Sequence, residues 1–196
     1  MNPDRPAPRT NYRTPLLLVL VFFGPLVAAT LMYYVGGPAF RPAGTVAHGE
    51  LLTPPPTLPD ADYSDAGGQA FRFRRTWSLI EVAPGDCDQA CLESLYRTRQ
   101  VRRALGKEMG RVQRVLLATG TPPAADLLAR EHPGLLVVTP ASPAGLALDR
   151  ALGPAGAGAV FIADPLGNLV MRFPAGTGMK DLHKDLALLL KASRIG

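Results

Sequence analysis

"TWSLIEVAPGDCDQACLESLYRTRQ", residues 76–100, is the stretch on which the fold turns. Its first eight residues hold Trp77, Leu79, Ile80 and Val82 in a short apolar run, which reads as a buried strand. Pro84 and Gly85 then turn the chain. Beyond them Leu92, Leu95, Val101 and Leu105 recur at near-helical spacing, so a helix is expected until Gly106 and Gly110 break it. The only two cysteines, Cys87 and Cys91, fall where strand gives way to helix. A pair that tight can be a redox couple, a metal clamp or a structural staple.

The same alternation continues toward the C-terminus. Residues 111–119 read as a second strand, Pro122 and Pro123 open a short helix, and 134–139 is a third strand. "SPAGLALDRAL" is another short helix, ended by Gly153 and Pro154. "AVFIADPLGNLVMRFP", 159–174, gives two strands around a Pro-Leu-Gly-Asn turn. The last element, 179–193, is an amphipathic helix with Leu182, Leu186, Leu189 and Leu190 on one face and Lys180 and Lys184 on another. The order β-α-β-α-β-α-β-β-α predicts an α/β fold: a central mixed sheet, parallel across helical crossovers and antiparallel at the hairpin, flanked by helices. Gly153, Gly156 and Gly158 lack the preceding strand and following long helix of a phosphate loop.

Toward the N-terminus, residues 14–40 carry no charged side chain, and "PLLLVLVFFGPLVAATLMYYV" is about the 20 residues needed to cross a bilayer. Arg5, Arg9 and Arg13 precede it against Asp4 alone. That bias predicts a cytoplasmic N-terminus (1–14), one transmembrane anchor (15–37) in the bacterial inner membrane, and a body in the periplasm. Tyr33, Tyr34 and Phe40 suit an interfacial belt. A cleaved signal peptide competes, since Val27, Ala28 and Ala29 fit a cleavage pattern, but the apolar run continues through Leu31, Met32 and Val35. Both outcomes place the cysteines where disulfides persist. Residues 38–70, rich in Pro and Gly, read as a linker rising about 3.1 Å per residue where extended. Its "GELLTPPPTLPD" part has enough Leu to drape along the domain instead. The folded domain is then 71–196. The chain carries a net charge of +5, yet no aromatics interleave with its basic residues, and an extracytoplasmic body excludes nucleic acid.

A strand, a Cys pair opening a helix, then β-α-β and a closing hairpin and helix resembles the thioredoxin fold. The CxxxC spacing, the single anchor and "FIADPLGN" at 161–168 narrow the likeness. Over 49–196 the chain resembles the Sco/SenC proteins, which help assemble the copper site of cytochrome c oxidase. The resemblance implies that Cys87 and Cys91 are the working residues, either catalysing thiol–disulfide exchange or handling copper as Cu(I). It implies as partners the inner membrane and a cytochrome c oxidase subunit or its assembly factors.

The chain departs from that family where the chemistry is. Sco-type sites add a histidine shortly before the Asp-Pro strand, but "GPAGAGAVFIADP" has Gly156 near that place and no histidine. His48, His132 and His183 lie elsewhere. No proline directly precedes the strand, as it does in thioredoxin-type oxidoreductases. Asp86 and Asp88 flank Cys87, and their charge opposes the thiolate-favouring helix start, which predicts a reducing couple or a Cu(I) clamp in preference to a disulfide donor. One of the two is expected to cap the helix. Cys87, in the loop, is expected to be exposed and Cys91, one turn in, shielded. The alternative left open is a non-catalytic assembly or scaffold protein in which the pair is a structural disulfide. Such a protein would work through surfaces like the basic run of Arg97, Arg99, Arg102, Arg103, Lys107, Arg111 and Arg114, which otherwise reads as a solvated face.

Overall fold

A computed structural model describes residues 12–35, 47–193 and 195. Arg5, Arg9, Pro38, Phe40, Pro42 and Gly44 lie outside the described residues. The chain divides into two compact units between 45 and 46. The first holds helix α1 (Arg13–Val35), whose segment Pro15–Tyr34 is long and apolar enough to span a membrane. None of that segment is buried by protein. α1 is apolar on every side, the composition that suits a helix crossing lipid.

The second unit is built on a six-stranded mixed sheet. Its strands are β1 (Glu50–Leu51), β4 (Trp77–Ala83), β5 (Val112–Ala118), β6 (Leu135–Val138), β7 (Val160–Ala163) and β8 (Leu169–Phe173), in the order β1-β8-β7-β4-β5-β6. β2 (Tyr63–Ser64) and β3 (Ala70–Phe71) form a separate ladder. β4, β5 and β6 are parallel, as their helical crossovers require, while β7, β8 and β1 run antiparallel to their neighbours. Helices α2 (Gln89–Ala104), α3 (Ala125–Glu131), α4 (Pro143–Leu152) and α5 (Met179–Ala192) flank it. This is a thioredoxin-like architecture.

Strand alternation assigns each side chain to a face. Trp77 and Leu79 of β4 pack with Val101 of α2, with Leu105 at its C-cap, and with Leu182, Leu186 and Leu190 of α5. Ile80 and Val82, with Val115 and Leu117 of β5, face Leu148 and Leu152 of α4. Each fully buried aliphatic side chain contributes about 1.5–3 kcal/mol relative to exposure.

The Pro-rich stretch from residue 47 takes the draping course. Leu58 and Tyr63 are buried in the α4-side core, with Phe71 and Phe73 beside them, and Leu52 packs against it. β1 covers the edge of β8, pairing Glu50 with Arg172 and Leu51 with Met171, so the hairpin's outer strand is not left open. Upstream of β1, Asp185 of α5 ties the arm down: it is buried and accepts the backbone N–H groups of His48 (2.6 Å) and Gly49 (2.8 Å), with the His48 Nδ1 at 2.9 Å. Leaving that carboxylate buried without these donors would be costly.

Candidate functional site

β4 ends at Ala83, and the chain turns through Pro84 and Gly85, whose φ of +72° only glycine adopts without strain. The next residues are fastened to the loop after β5. The Cys87 N–H donates to the Thr121 carbonyl (3.1 Å), the Thr121 N–H to Asp86 Oδ1 (2.8 Å), and the Gly85 N–H to Thr119 Oγ1 (2.9 Å). The two backbones run so close that a Cβ on Gly120 would overlap the Gly85 carbonyl. Asp88 caps α2, its Oδ1 accepting the Cys91 N–H at 3.0 Å. The cap fixes Cys91 in the first helical turn and Cys87 in the loop just ahead of it.

Cys87 and Cys91 form a disulfide, with Cα atoms 5.2 Å apart. Both are half-buried against Ala83, Leu95, Leu116 and Ala118. Cys87 is thus less open than the sequence suggests, since the loop at 119–121 is bonded along its backbone. The two sulfurs differ in another way. Cys91 lines a cleft of about 300 Å³, together with Glu81, Asp86, Asp88, Glu93 and Arg97, and Gly158 and Gly176 complete its wall.

Glu81 is the group that sequence reasoning missed. It lies on β4, two residues before the strand's end, and is 4% exposed on the face covered by α2. Burial pushes its carboxyl up to about 7, with the Ser94 and Thr98 hydroxyls and the charges of Arg114 and Arg97 pulling the other way. The Thr98 hydroxyl lies 3.2 Å from its Oε2. Its signal was present: a carboxylate inside an apolar strand is too costly to bury without a role for it. Asp86 moves in the opposite direction, held below the usual carboxylate range by its hydrogen bonds from Thr121. On β5, Arg114 is buried too; desolvation lowers its guanidinium to about 10, while the charge of Glu81 opposes that fall.

The three histidines do not join the pair. His48 is on the arm with Asp185, and His183 lines a groove between the ends of α2 and α5. His132 is buried, 3.5 Å from Arg114 Nη2, and is held below its usual range by burial and by Arg114 and Arg99. Ahead of β7 stand Gly158 and Ala159, whose backbones pair with Val82, and no proline. Among the described residues no three His, Cys, Asp or Glu side chains are grouped to hold a metal. Around the two sulfurs the further donors are carboxylates, hard ligands ill matched to Cu(I), which favours sulfur and imidazole. The residues present do not fit a resident copper site.

The basic run divides: Arg103 and Lys107 are exposed, as a solvated face requires, while four of its arginines are tied to backbone carbonyls. Arg99 bonds the Glu131 carbonyl, Arg102 the Val112 carbonyl, and Arg114 the Leu95 carbonyl. Arg111 reaches the carbonyls of Leu190, Ser193 and Ile195 at the end of α5, where a cation suits the helix dipole.

Two family models match the chain. One, described as a transmembrane-like, N-terminal domain, covers residues 9–36; the other, a transmembrane-like, thioredoxin-like, C-terminal domain, covers 77–193. No curated protein matches by sequence. Among solved structures, copper-bound ScoI of Arabidopsis thaliana is 11% identical, covers 70% of this chain and 99% of its own, and superposes with a TM-score of 0.57. Apo Sco1 of Thermus thermophilus is 18% identical over 76% of this chain and 98% of its own, with a TM-score of 0.57. A Chlorobium tepidum protein described as thiol:disulfide interchange protein DsbE is 14% identical over 71% and 97%, with a TM-score of 0.52. At such identities the likeness establishes the fold.

Proposed function

We propose a function from one premise: the chain belongs to the transmembrane-like, thioredoxin-like family. On that premise it is a membrane-anchored protein whose Cys87–Cys91 pair exchanges disulfides with a partner protein. The observation carrying this reading is that Cys91 and the buried carboxyl of Glu81 line one cleft. A group titrating at about 7 beside a thiol can take and return its proton near neutral pH.

In the reducing direction the Cys87 thiolate attacks a disulfide of the partner, forming a mixed disulfide and releasing one partner sulfur as a thiolate, which takes up a proton. Cys91 gives its proton to Glu81 and attacks the Cys87 sulfur. The second partner thiol leaves, and the pair is left as the disulfide seen here. A dithiol donor then returns two electrons and two protons to the pair. Asp86 and Asp88 beside Cys87 disfavour the thiolate and so favour a reducing couple over a strongly oxidising one. The anchor, with its preceding arginines, supports a body on the periplasmic side of a bacterial inner membrane. The Sco/SenC resemblance supports a partner among the cytochrome c oxidase subunits or their assembly factors. Copper, if handled, is cargo for the two thiolates alone, since the third soft donor is missing.

A second reading is favoured by the hydrogen bonds that lace the Cys87 loop to residues 119–121: the pair as a staple in a non-catalytic assembly protein. The midpoint potential of the couple, measured on the full-length chain in detergent with and without Cu(I), separates the two. A potential within the range of known dithiol reductants, about −230 to −270 mV, supports exchange. A disulfide that dithiothreitol cannot open in the folded protein defeats it.

A further inference from the structure

The cleft beside the disulfide has a charge opposite to that of the chain. The protein carries a net charge of +5, yet the cleft is lined by Glu81, Asp86, Asp88 and Glu93 against the single guanidinium of Arg97. Asp86, Asp88 and Glu93 are exposed on its rim. Asp86 and Asp88 each accept a backbone N–H at Oδ1, and Glu93 accepts the Gln89 side-chain amide. Glu81, inside, is 4% exposed and makes no ion pair among the described residues, its hydrogen-bond donors being hydroxyls. The charges of Arg114 and Arg97 act on Glu81 without closing an ion pair, and a cleft whose rim sets three exposed carboxylates against the single guanidinium of Arg97 stays short of positive charge.

We propose that the partner of the Cys87–Cys91 pair presents its reacting sulfur on a positively charged segment, whose Lys or Arg side chain enters this cleft. The inference rests on the exchange reading. It adds that Asp86, Asp88 and Glu93 select the partner by charge while the sulfurs do the chemistry. Fields of this kind raise encounter rates about 10- to 1,000-fold and fade with salt. The step is the re-reduction half of that exchange: a thiolate of the cationic segment displaces one sulfur of the Cys87–Cys91 disulfide to form a mixed disulfide, and a second thiol of the segment then displaces the other, leaving the pair as a dithiol and the segment's two sulfurs as a disulfide.

The test uses two small thiols of opposite charge, cysteamine and 2-mercaptoethanesulfonate, on the oxidised full-length protein in a non-ionic detergent. Opening of the disulfide is read by alkylation and mass. Each rate is divided by that thiol's rate on hydroxyethyl disulfide in the same buffer, which removes intrinsic reactivity. At low salt the normalised rate with cysteamine is expected to exceed that with mercaptoethanesulfonate by about tenfold, and to approach it near 1 M salt, where the Debye length is about 3 Å. Asp86→Asn with Glu93→Gln should shrink the ratio severalfold while keeping the Thr121 and Gln89 hydrogen bonds possible. Equal normalised rates at low salt, or a ratio unmoved by the double variant, overturn the charge selection and leave exchange standing. A disulfide that neither thiol nor dithiothreitol opens in the folded protein overturns both.

Discussion

The two faces of the sheet are built by different rules. On the α4 side, Ile80, Val82, Val115, Leu117, Phe161 and Tyr63 join a core made only of apolar side chains, and Ser78, bonded to Gln113, is the buried polar group of the strands there. On the α2 side the apolar packing of Leu95, Leu116 and Ala118 is interrupted by Glu81, Arg114, Thr98 and His132, all buried. Apolar burial stabilises without direction, whereas each buried polar group must find a partner or cost about 1–3 kcal/mol. A chain that retains a carboxylate, a guanidinium and an imidazole on one face, and none on the other, has spent stability where the cysteine pair lies. One face holds the fold; the other tunes the site.

The largest effect that can test this contrast is a cavity in the silent face. Leu117→Ala, at a position with no exposed surface, should cost about 2–5 kcal/mol in urea unfolding and leave the potential of the cysteine couple unmoved. A shift of that potential would mean the faces are not separable.

The next effect has the opposite sign. The folded carboxyl of Glu81 titrates at about 7 and its unfolded counterpart at 4.5, so the folded state binds more protons between those values. Its contribution to stability is intact below pH 4.5 and is lost as pH rises through 7. Glu81→Gln should therefore match the parent near pH 4 and exceed it by about 3–4 kcal/mol at pH 8, since one pKa unit is worth about 1.4 kcal/mol. The same variant should slow resolution of mixed disulfides near neutral pH. A gain in stability with unchanged exchange would make Glu81 a structural relic. His132 acts in the reverse sense: its pKa is lowered, so its share of stability is present above the unfolded value and is lost as pH falls below it.

The cysteines come third. A five-residue loop limits the stabilisation by the disulfide to about 2 kcal/mol, and either Cys→Ser change should cost no more. If the pair works as proposed, Cys91→Ser should trap a partner as a mixed disulfide and Cys87→Ser should trap little. Equal destabilisation with nothing trapped by either is the signature of a staple.

The smallest effect is a control. Asp88 caps α2 on the charged face and Ser142 caps α4 on the apolar face, its Oγ accepting the Gly145 N–H at 3.0 Å. Alanine at either should cost about 1 kcal/mol, because a cap satisfies a local donor whatever lies behind the helix. A much larger loss at Asp88 in thermal unfolding would show that the cap also holds the disulfide loop.

The sequence by itself determined the order of elements, the thioredoxin-like class, the membrane-spanning helix and the position of the cysteines at a helix start. Each of these is a local property: strand alternation, helical period, Pro and Gly punctuation and an uncharged run are read within a dozen or two residues. Only the tertiary structure decided what the charged residues do. Whether Arg99, Arg102, Arg111 and Arg114 face solvent depends on which carbonyls the end of α5, the turn after α3 and the start of β5 bring within reach. That Glu81 shares a cleft with Cys91 depends on α2 folding back over β4, and that 47–64 is arm more than linker depends on an open edge at β8 and a buried Asp185 far along the chain. Contacts between segments a hundred residues apart are set by packing and register, and no local pattern records them.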